Sequence, residues 1–397
     1  MKVIVAIDSF KGSLSSMEAG LSVKEGILKS KPNAEIVVKP LADGGEGTTD
    51  ALISGLGGRR INLTVTGPMG DPVDCYYGIL ENAACGNGIS CGHTAVMEMA
   101  SAAGITLVPS DQKNPLRATT YGVGEMILHA IENGCRNFII GIGGSATNDG
   151  GIGMLKALGF EFLDENGKEV GEGGQALSKI SSIKTDDVNS KLSLCNFKVA
   201  CDVTNPLYGE NGATFVYGPQ KGVTLEMRED LDRGMANFAS KTFVHFGSYF
   251  ASYPGAGAAG GLGFAFLSYL NAKLTPGVDL ILDAIGFENE LLNTRDFLNE
   301  SDLNNNQLIV VTGEGRLDHQ TSMGKAPVGV ARLAKKYGAK VIAFAGAVTK
   351  DAVSCNEAGI DAFFPIVRGI TTLDEAMKPE NAKENLSAAV EQVFRLL

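Results

Sequence analysis

The sequence predicts an α/β protein in which both ends of the chain build one parallel sheet and the middle forms an inserted domain. Two observations support this prediction. Apolar strand-like runs alternate with helix-like segments at the amino end and again at the carboxyl end, as they do in parallel sheets covered by helices. The middle begins instead with two alternating strands about a Gly-Pro-Met-Gly-Asp-Pro turn, which is a hairpin signal.

The amino end has the pattern of a strand, a helix and a second strand. The apolar run Lys2–Ile7 is followed by a helical segment at about 13–29 and by a strand at 35–39. A glycine-rich loop, PLADGGEGTTDAL, comes directly after the second strand. The middle then starts with INLTVTGPMGDPVDCYYGIL, the segment that predicts the hairpin. Further elements of the middle are expected as helices at about 94–103 and 121–133, a strand at 138–142, a helix at about 226–246 and a helix at 258–270.

The carboxyl end returns to the alternation of strands and helices. Its elements are expected as a strand at 307–311, a helix at 325–337, strands at 340–345 and 361–365, and a closing helix at 379–397. We place the domain boundaries near residues 66 and 290. Residues 1–66 and 290–397 then form the parallel-sheet domain, and residues 67–289 form the inserted α/β domain.

The composition is that of a soluble globular protein, and the charge excludes some partners. A formal net charge of -11 argues against nucleic acid or an anionic membrane surface as the main partner. The absence of a signal-peptide pattern and of a long apolar run predicts a cytoplasmic protein. Seven cysteines without a CxxC pair favour reduced structural thiols over a zinc site or disulfides. The oligomeric state stays open.

The most informative motif is FIIGIGGSATNDGGIGMLKALG, at residues 138–159. An apolar strand leads into a glycine-rich turn and then into a helix, and free amides at such a helix start attract anions. A turn built only for packing is the alternative, but such a turn has no use for so many polar side chains. Asn148 or Asp149 can cap the helix. The turn therefore favours phosphate binding.

Two further loops place charged side chains after strands of the parallel sheet. Asp8 and Lys11 follow the first strand, at the edge where α/β sheets usually present their ligands. Asp43 and Glu46 stand three residues apart among glycines after the second strand. A metal ligand, a general base and a helix N-cap all suit Asp43, and the residues alone leave these three roles open.

Three more candidates follow strands farther along the chain. Asp202 stands in CDVTNP, after a strand at 197–200, and the segment GPQKG lies close behind. The motif TGEGRLD follows the apolar run LIVV, and SMGK opens the next helix. Arg316 in the first of these can hold a carboxylate or phosphate through two hydrogen bonds, and Lys325 in the second can supply a point charge for a phosphate.

The segment GAGAAG, at residues 255–260, satisfies the G-x-G-x-x-G pattern of dinucleotide-binding loops. Asp279 and Asp283 lie near the distance at which a ribose-binding acid would be sought. The preceding residues have the pattern of a helix and a loop instead of the required strand, so the dinucleotide interpretation fails its structural condition. Close helix packing and nucleotide contact by the loop both stay open.

The absence of the motifs of several well-known enzyme classes limits the reactions that this sequence can support. The sequence contains neither G-x-x-x-x-G-K-[ST] nor the protein-kinase signatures, and its four histidines form no H-E-x-x-H motif. Acids and cations on glycine loops must therefore carry any reaction. This combination suits phosphoryl transfer, in which cations neutralise charge and a carboxylate accepts the proton of the acceptor hydroxyl.

Seven motifs in one order resemble the type 1 glycerate kinase family. They are DSFKGSL, LADGGEGT, GIGGSATNDGGIGMLKALG, CDVTNPLYG, GPQKG, PGAGAAGGLG and TGEGRLDHQTSMGKAP, between residues 8 and 327. The resemblance implies ATP-dependent phosphorylation of D-glycerate with Mg²⁺, at the 2-hydroxyl, giving 2-phospho-D-glycerate and ADP. It also implies a discontinuous Rossmann-like domain with a mixed α/β domain inserted in it, and an active site in the cleft between the two.

Residue type and loop position suggest roles within this resemblance. Asp8 or Asp43 is expected to be the base near the glycerate hydroxyl, and Lys11 and Arg316 to hold the glycerate carboxylate. The residues expected to bind the ATP phosphates are Gly143, Gly144, Ser145, Thr147, Asn148 and Lys325. The metal candidates are Asp149, Asp202 and Glu314.

Two sequence features lie outside the roles assigned above, and the sequence also supports two functions other than glycerate phosphorylation. The Cys/Gly-rich segment from Cys85 to His93 departs from the family pattern and receives no role, and Glu98 in the predicted helix beyond it could face either the cleft or solvent. An NAD-dependent dehydrogenase acting on a small 2-hydroxy acid is the alternative enzyme, supported by GAGAAG alone. A non-catalytic sensor of small anions is the third hypothesis, although so many acid-bearing loops exceed what a sensor needs.

Overall fold

The computed structural model describes residues 1–81, 92–297 and 308–397, which form two compact units. The first unit comprises residues 1–43, 50–56 and 278–397, and the second comprises residues 44–49 and 57–277. The segment from Cys85 to Cys91 lies outside the described residues, as does Gln307 at the start of a predicted strand. The expected active site between two domains stays a prediction.

The first unit is built on a five-stranded sheet in which every neighbouring pair of strands is parallel. The strand order is β13 (Ala362–Pro365), β12 (Lys340–Val348), β11 (Leu308–Leu317), β1 (Lys2–Ile7) and β2 (Glu35–Pro40). Both ends of the chain contribute to this sheet, and the predicted α/β fold is confirmed. Its elements are β1 (Lys2–Ile7), α1 (Ser16–Ser30), β2 (Glu35–Pro40), α2 (Thr48–Leu56), α9 (Gly277–Ala284), α10 (Phe287–Phe297), β11 (Leu308–Leu317), α12 (His319–Ser322), α13 (Ala326–Lys336), β12 (Lys340–Val348), a 3-10 turn (Lys350–Val353), α14 (Ser354–Glu357), β13 (Ala362–Pro365), α15 (Leu373–Met377) and α16 (Pro379–Phe394).

Local chemistry explains where the first helix begins and how it packs. Ser15 is the N-cap of α1, and its side chain and that of Glu18 form a reciprocal capping box. The helix therefore starts at Ser16, three residues later than predicted. On its inner face, a Cβ at Gly26 would lie 2.3 Å from the Ser387 carbonyl oxygen of α16. Glycine at this position lets the two helices pack closely over the sheet.

The second unit contains a six-stranded mixed sheet in the order β10 (Lys273–Thr275), β9 (Asn196–Ala200), β6 (Cys135–Gly141), β5 (His93–Glu98), β4 (Pro72–Leu80) and β3 (Gly58–Thr66). The pairs β3-β4 and β4-β5 are antiparallel, which confirms the predicted hairpin, and the other pairs are parallel. A separate antiparallel pair joins β7 and β8. The elements are β3 (Gly58–Thr66), β4 (Pro72–Leu80), β5 (His93–Glu98), α3 (Ala100–Ala103), α4 (Tyr121–Glu132), β6 (Cys135–Gly141), α5 (Ile152–Ala157), β7 (Glu161–Leu163), β8 (Ser182–Lys184), β9 (Asn196–Ala200), α6 (Ala213–Tyr217), α7 (Leu225–Phe246), α8 (Ala258–Tyr269), β10 (Lys273–Thr275) and 3-10 turns at Ile105–Leu107, Gly174–Lys179, Ser190–Leu194 and Pro219–Lys221.

The helix predicted at 94–103 is wrong over its first half. Residues His93–Glu98 form β5, a central strand between β4 and β6, and only Ala100–Ala103 are helical. Ala95, Val96 and Met97 are all buried. A strand covered on both faces has a continuous apolar run, and such a run has no period that separates it from a buried helix.

The observed unit boundaries differ from residues 66 and 290. Residues 58–66 form β3, whose whole length pairs with β4, so the second unit begins before the predicted boundary. Residues 278–289 belong to the first unit, where Val278 lies against Gly329 of α13. Pairing and packing over these short segments decide where they belong, and neither is visible in their composition.

Within the described residues, none of the helices combines the length and the apolar character needed to cross a membrane.

Candidate active site

A cavity of about 700 Å³ lies in the first unit, at the carboxyl ends of its parallel strands. The strand β2 lies on one side of β1, whereas β11, β12 and β13 follow one another on the other side of β1. The strand order therefore reverses between β1 and β11, and open α/β sheets bind ligands at such a point. The polar residues that line the cavity are Asp8, Ser9, Lys11, Ser13, Asp43, Glu314, Arg316, Asp318, Lys325, Thr371, Thr372 and Asn385.

Asp8 follows β1 directly and is buried. Its backbone N–H donates to the Gly313 carbonyl of β11 at 2.9 Å, and its Oδ1 accepts a 2.6 Å hydrogen bond from the Ser9 N–H. Burial and, after it, the negative charge of Asp43 raise the pKa of Asp8 to about 7. A carboxyl group that titrates near neutral pH is suited to accepting a proton.

Glu314 lies on β11 itself, because the strand extends to Leu317 instead of ending before the TGEGRLD motif. Its Oε1 accepts a 2.6 Å hydrogen bond from the Thr321 hydroxyl. Burial raises the pKa of Glu314, while the Thr321 hydrogen bond and the charge of Lys325 act against that shift. Lys325 is the N-cap residue of α13, so a cation stands at the start of a helix.

The predicted base and carboxylate-binding residues lie in this one cavity. Asp8, Lys11, Asp43 and Arg316 all contribute to its lining. The Arg316 side chain is 65% exposed, with its Nε 3.6 Å from Asp318 Oδ2, so its guanidinium is accessible to a ligand. The cavity thus combines acidic groups with cations, the set that the sequence singled out for phosphoryl transfer.

The predicted phosphate turn lies in the second unit, between β6 and α5. Gly143 and Gly144 are exposed, whereas Ser145, Thr147 and Asn148 are buried. Backbone hydrogen bonds to the end of α3 and the residues after it fix the turn: the Ile105 N–H donates to the Gly144 carbonyl at 2.8 Å, and the Ala146 N–H donates to the Ala103 carbonyl at 2.9 Å. In the described chain, the amides of Gly143 and Gly144 donate to no protein acceptor.

Lys221 lies beneath this turn and was not assigned a role from the sequence. Its Nζ donates to Ser145 Oγ at 2.6 Å and to the Thr147 carbonyl at 2.7 Å. Burial lowers the pKa of Lys221 to about 7, and the negative charge of Asp149 acts against this shift. The signal in the sequence was a lone lysine in GPQKG, between residues typical of turns.

Asp149, a metal candidate, is completely buried and has protein donors on both carboxylate oxygens. Oδ2 accepts hydrogen bonds from the Thr120 N–H and hydroxyl, both at 2.8 Å, and from the Gly153 N–H at 3.3 Å. Oδ1 accepts from the Gly151 N–H at 3.0 Å. The N-cap residue of α5 is Gly151, so the expectation that Asn148 or Asp149 caps this helix is wrong. Asp149 instead binds the N–H groups of Gly151 and Gly153 at the start of α5, and its four hydrogen bonds account for its burial without a metal.

Asp202 follows β9 and is exposed, and its Oδ1 accepts a 2.8 Å hydrogen bond from the Gly277 N–H. Asp202 and Asp149 belong to the second unit, whereas Glu314 belongs to the first. Across residues 1–81, 92–297 and 308–397, no three His, Cys, Asp or Glu side chains are grouped closely enough to hold a metal on their own.

The GAGAAG segment packs against the phosphate turn. The Gly150 N–H donates to the Gly260 carbonyl at 2.9 Å, and a Cβ at Gly260 would lie 2.1 Å from the Thr147 carbonyl oxygen. Gly260 also has a φ of +68°. The segment follows the helix α7 and a loop instead of a strand, so the condition for a dinucleotide-binding loop is not met.

Glu98 stands at the end of β5, is buried, and belongs to no helix. Its Oε1 accepts a 2.9 Å hydrogen bond from the Thr49 N–H, and its Oε2 accepts a 3.3 Å hydrogen bond from the Gly47 N–H. The carboxylate therefore fixes the end of the ADGGEGT loop. The expected position on a solvated helix face is therefore wrong, because Glu98 is a buried strand residue.

Comparisons with known proteins agree with these motifs. The sequence profile of the glycerate kinase family matches residues 3–397. A glycerate kinase of Bacillus subtilis (strain 168) is 45% identical over 393 residues, covering 99% of this chain and 97% of that protein. The glycerate 2-kinase of Escherichia coli (strain K12) is 41% identical over 399 residues, covering 100% and 98%.

The fold is also similar to that of a solved structure. A crystal structure named for a glycerate kinase 2 of Salmonella typhimurium LT2 superposes with a TM-score of 0.86 at 40% sequence identity, covering 100% of this chain and 98% of that one. Family profile, relatives and fold therefore coincide over the full length of the chain. The chain belongs to the glycerate kinase family.

Proposed function

We propose that this protein transfers the γ-phosphoryl group of ATP to the 2-hydroxyl of D-glycerate, giving 2-phospho-D-glycerate and ADP. Membership of the glycerate kinase family supports glycerate as the acceptor. The name of the Escherichia coli relative, glycerate 2-kinase, supports the 2-hydroxyl. The single observation that carries the proposal is the cavity of the first unit, where a buried carboxyl group and three cations line the switch point of the sheet.

Asp8 is the proposed general base. Its raised pKa lets it accept the proton of the 2-hydroxyl as that oxygen attacks phosphorus, and the Ser9 N–H stabilises the carboxylate before the transfer. Lys11 and Arg316, in the same cavity, hold the glycerate carboxylate. This pairing places the acid group of the substrate against cations and its hydroxyl towards Asp8.

Mg²⁺ is the proposed metal, and the donor set of the cavity fits it. Mg²⁺ prefers oxygen ligands and usually binds through one or two carboxylates together with phosphates and water. Glu314 and Asp43 supply such carboxylates. Burial and, more weakly, the charges of Asp318 and Asp43 raise the pKa of Glu314, and a bound cation would offset these effects. When bound, Mg²⁺ would neutralise charge on the phosphates. Asp202, in the second unit, stays a candidate ligand.

The ATP phosphates are assigned to the turn at 143–148 and to Lys325. The exposed amides of Gly143 and Gly144 and the Ser145 hydroxyl are donors for anionic oxygens. Lys325, at the start of α13, adds a cation and a helix N-terminus. The dehydrogenase alternative loses its support, because GAGAAG lacks the strand that a dinucleotide-binding loop requires.

Phosphorus NMR of the product tests this function. The purified protein is incubated with D-glycerate, ATP and Mg²⁺. A phosphate ester at the 2-hydroxyl couples to one carbon-bound proton and is expected as a doublet, whereas an ester at the 3-hydroxyl couples to two. A triplet would contradict the regiochemistry, and the absence of any ester would contradict the function. NAD reduction followed by absorbance, with glycerate as substrate, tests the dehydrogenase alternative in parallel.

A further inference from the structure

Lys221 is a completely enclosed cation whose partners all lie in the phosphate turn. It is 2% exposed, and in the described part of the chain it forms no ion pair. Its two hydrogen bonds go to the Ser145 hydroxyl oxygen and to the Thr147 carbonyl oxygen. Burying a lysine without a direct ion pair is costly, and packing alone would be served by an apolar side chain.

The direction of the Lys221–Ser145 hydrogen bond determines what Ser145 can do. An ammonium group only donates, so the hydroxyl oxygen of Ser145 is the acceptor. The hydroxyl hydrogen of Ser145 is then free to donate to another group. Next to Ser145 are the exposed amides of Gly143 and Gly144, which are donors as well. The Ser145 hydroxyl hydrogen and these two amides are three donors for an anionic oxygen.

The turn also contains polar atoms without protein partners. Thr147 Oγ1 and Asn148 Oδ1 are buried and accept or donate no hydrogen bond in the described structure. The Asn148 amide, in contrast, donates to Thr214 Oγ1 at 3.0 Å, which fixes its orientation. Unpaired buried polar groups beside a buried cation are costly in a segment that serves packing alone, whereas they are common at sites that bind a ligand.

We propose that Lys221 is a positioning residue of the phosphate site: it holds Ser145 so that its hydroxyl hydrogen points to an anionic oxygen, and it places a positive charge behind the turn. This inference rests on the proposed function, because it takes the turn at 143–148 to bind the phosphates of ATP. Lys221 acts through Ser145 and the Thr147 carbonyl, and it does not itself touch the nucleotide.

The test measures ATP binding by calorimetry in wild type, Lys221→Met, Ser145→Ala and the double variant. Lys221→Met is expected to weaken ATP binding about 10-fold to 100-fold, since hydrogen bonds to charged groups are lost. Ser145→Ala is expected to weaken it about 10-fold. Because Lys221 acts through Ser145, the double variant should bind ATP much like Lys221→Met, so the two effects do not multiply. The KM for glycerate at saturating ATP should change less than about 3-fold.

The matched control is Lys113→Met, which removes a half-buried lysine whose Nζ donates to the Gln220 carbonyl at 3.1 Å. It should bind ATP like wild type. Lys221→Gln provides a second variant that keeps a donor and most of the volume but removes the charge, so folding is less at risk. It too should lose ATP affinity while its melting temperature stays closer to that of wild type.

Several results would overturn the inference. A merely structural Lys221 predicts that Lys221→Met or Lys221→Gln lowers the melting temperature and leaves the ATP affinity of the folded protein unchanged. Multiplying effects in the double variant, or wild-type ATP affinity in Ser145→Ala, would likewise contradict it. Failure of the proposed function gives a different result, because wild type itself would then form no phosphoglycerate. Wild type that turns over while the Lys221 variants keep full ATP affinity refutes the inference alone.

Discussion

The Glu98 carboxylate accepts a 2.9 Å hydrogen bond from the backbone N–H of Thr49, which is 49 residues earlier in the chain. The contact ties the last residue of a central strand to a glycine-rich loop, and a second hydrogen bond from the Gly47 N–H adds to it. A side chain thus replaces the backbone partners that a loop lacks. The conformation of the ADGGEGT segment depends on a residue that no local pattern connects to it.

Glu98→Ala removes both hydrogen bonds and leaves the buried Thr49 N–H without a partner. We expect a loss of about 1–3 kcal/mol in stability, since an unpaired buried donor carries its full desolvation cost. The measurement is the urea midpoint followed by circular dichroism. Glu165→Ala, at an exposed position of the same unit, should shift that midpoint little. Equal midpoints for the two variants would contradict a supporting role for Glu98.

Asp8→Asn should stabilise the protein, and increasingly so as pH rises. The pKa of Asp8 is raised to about 7 from 3.8, so the folded protein keeps a proton between these values that the unfolded chain has lost. The folding stability contributed by Asp8 therefore falls as pH rises from about 4 to about 7. The Asp8→Asn variant does not lose this stability, because its amide does not ionise. The expected gain at pH 8 is on the order of 1–4 kcal/mol. Melting temperatures at pH 5 and pH 8 provide the measurement.

Asp111→Asn, at an exposed position, is the control for this pH series. A melting-temperature difference between Asp8→Asn and wild type that stays constant from pH 5 to pH 8 would show that Asp8 has no raised pKa.

Asp149→Asn tests the structural interpretation of this residue against a metal role. The amide replaces an acceptor with a donor that faces backbone N–H groups, so about 2–4 kcal/mol of stability should be lost. The folded fraction should keep the Mg²⁺ dependence of wild type, measured by titrating turnover with Mg²⁺. Asp186→Asn, which is exposed, should leave both properties unchanged. Normal stability with weakened Mg²⁺ dependence would return Asp149 to the metal candidates.

Gly260→Ala should displace the phosphate turn. The new Cβ would lie 2.1 Å from the Thr147 carbonyl oxygen, and a φ of +68° is unfavourable for alanine. We expect a cost of about 2–4 kcal/mol and weaker ATP binding. Gly209→Ala is the matched control, because its φ is +92° but no atom lies within 4 Å of the added Cβ. It should cost only about 1–2 kcal/mol and leave ATP binding intact. Similar ATP affinities in both variants would refute the packing role of Gly260.

The sequence was sufficient for the fold class because both ends alternate strands and helices. The parallel sheet and the cavity residues after β1 and β2 follow from that alternation and from the rule that ligands bind at the carboxyl ends of strands. The hairpin follows from two alternating strands about a Gly/Pro-rich turn. What could not be predicted depends on burial and on distant contacts. The strand His93–Glu98 has a continuous apolar run that a helix shares, so only its place between two other strands distinguishes it.

The same limit applies to single residues of the site. Asp149 and Glu314 look equivalent as acids on glycine loops, yet four hydrogen bonds enclose the first while the second lines a cavity. Lys221 was visible only as a lysine in a turn, and its partners lie 74 and 76 residues away. Residue type indicates what a side chain can do, and the fold decides which neighbours it meets.

The turnover number of Asp8→Asn, measured with saturating ATP, Mg²⁺ and D-glycerate, decides whether Asp8 is the general base. If Asp8 is the base that takes the glycerate proton, turnover should fall about 100-fold to 10,000-fold while the KM for ATP changes little. The wild-type rate should also rise with pH up to about 7, in step with ionisation of Asp8. Near-normal turnover in a folded Asp8→Asn protein would show that Asp8 is not the base.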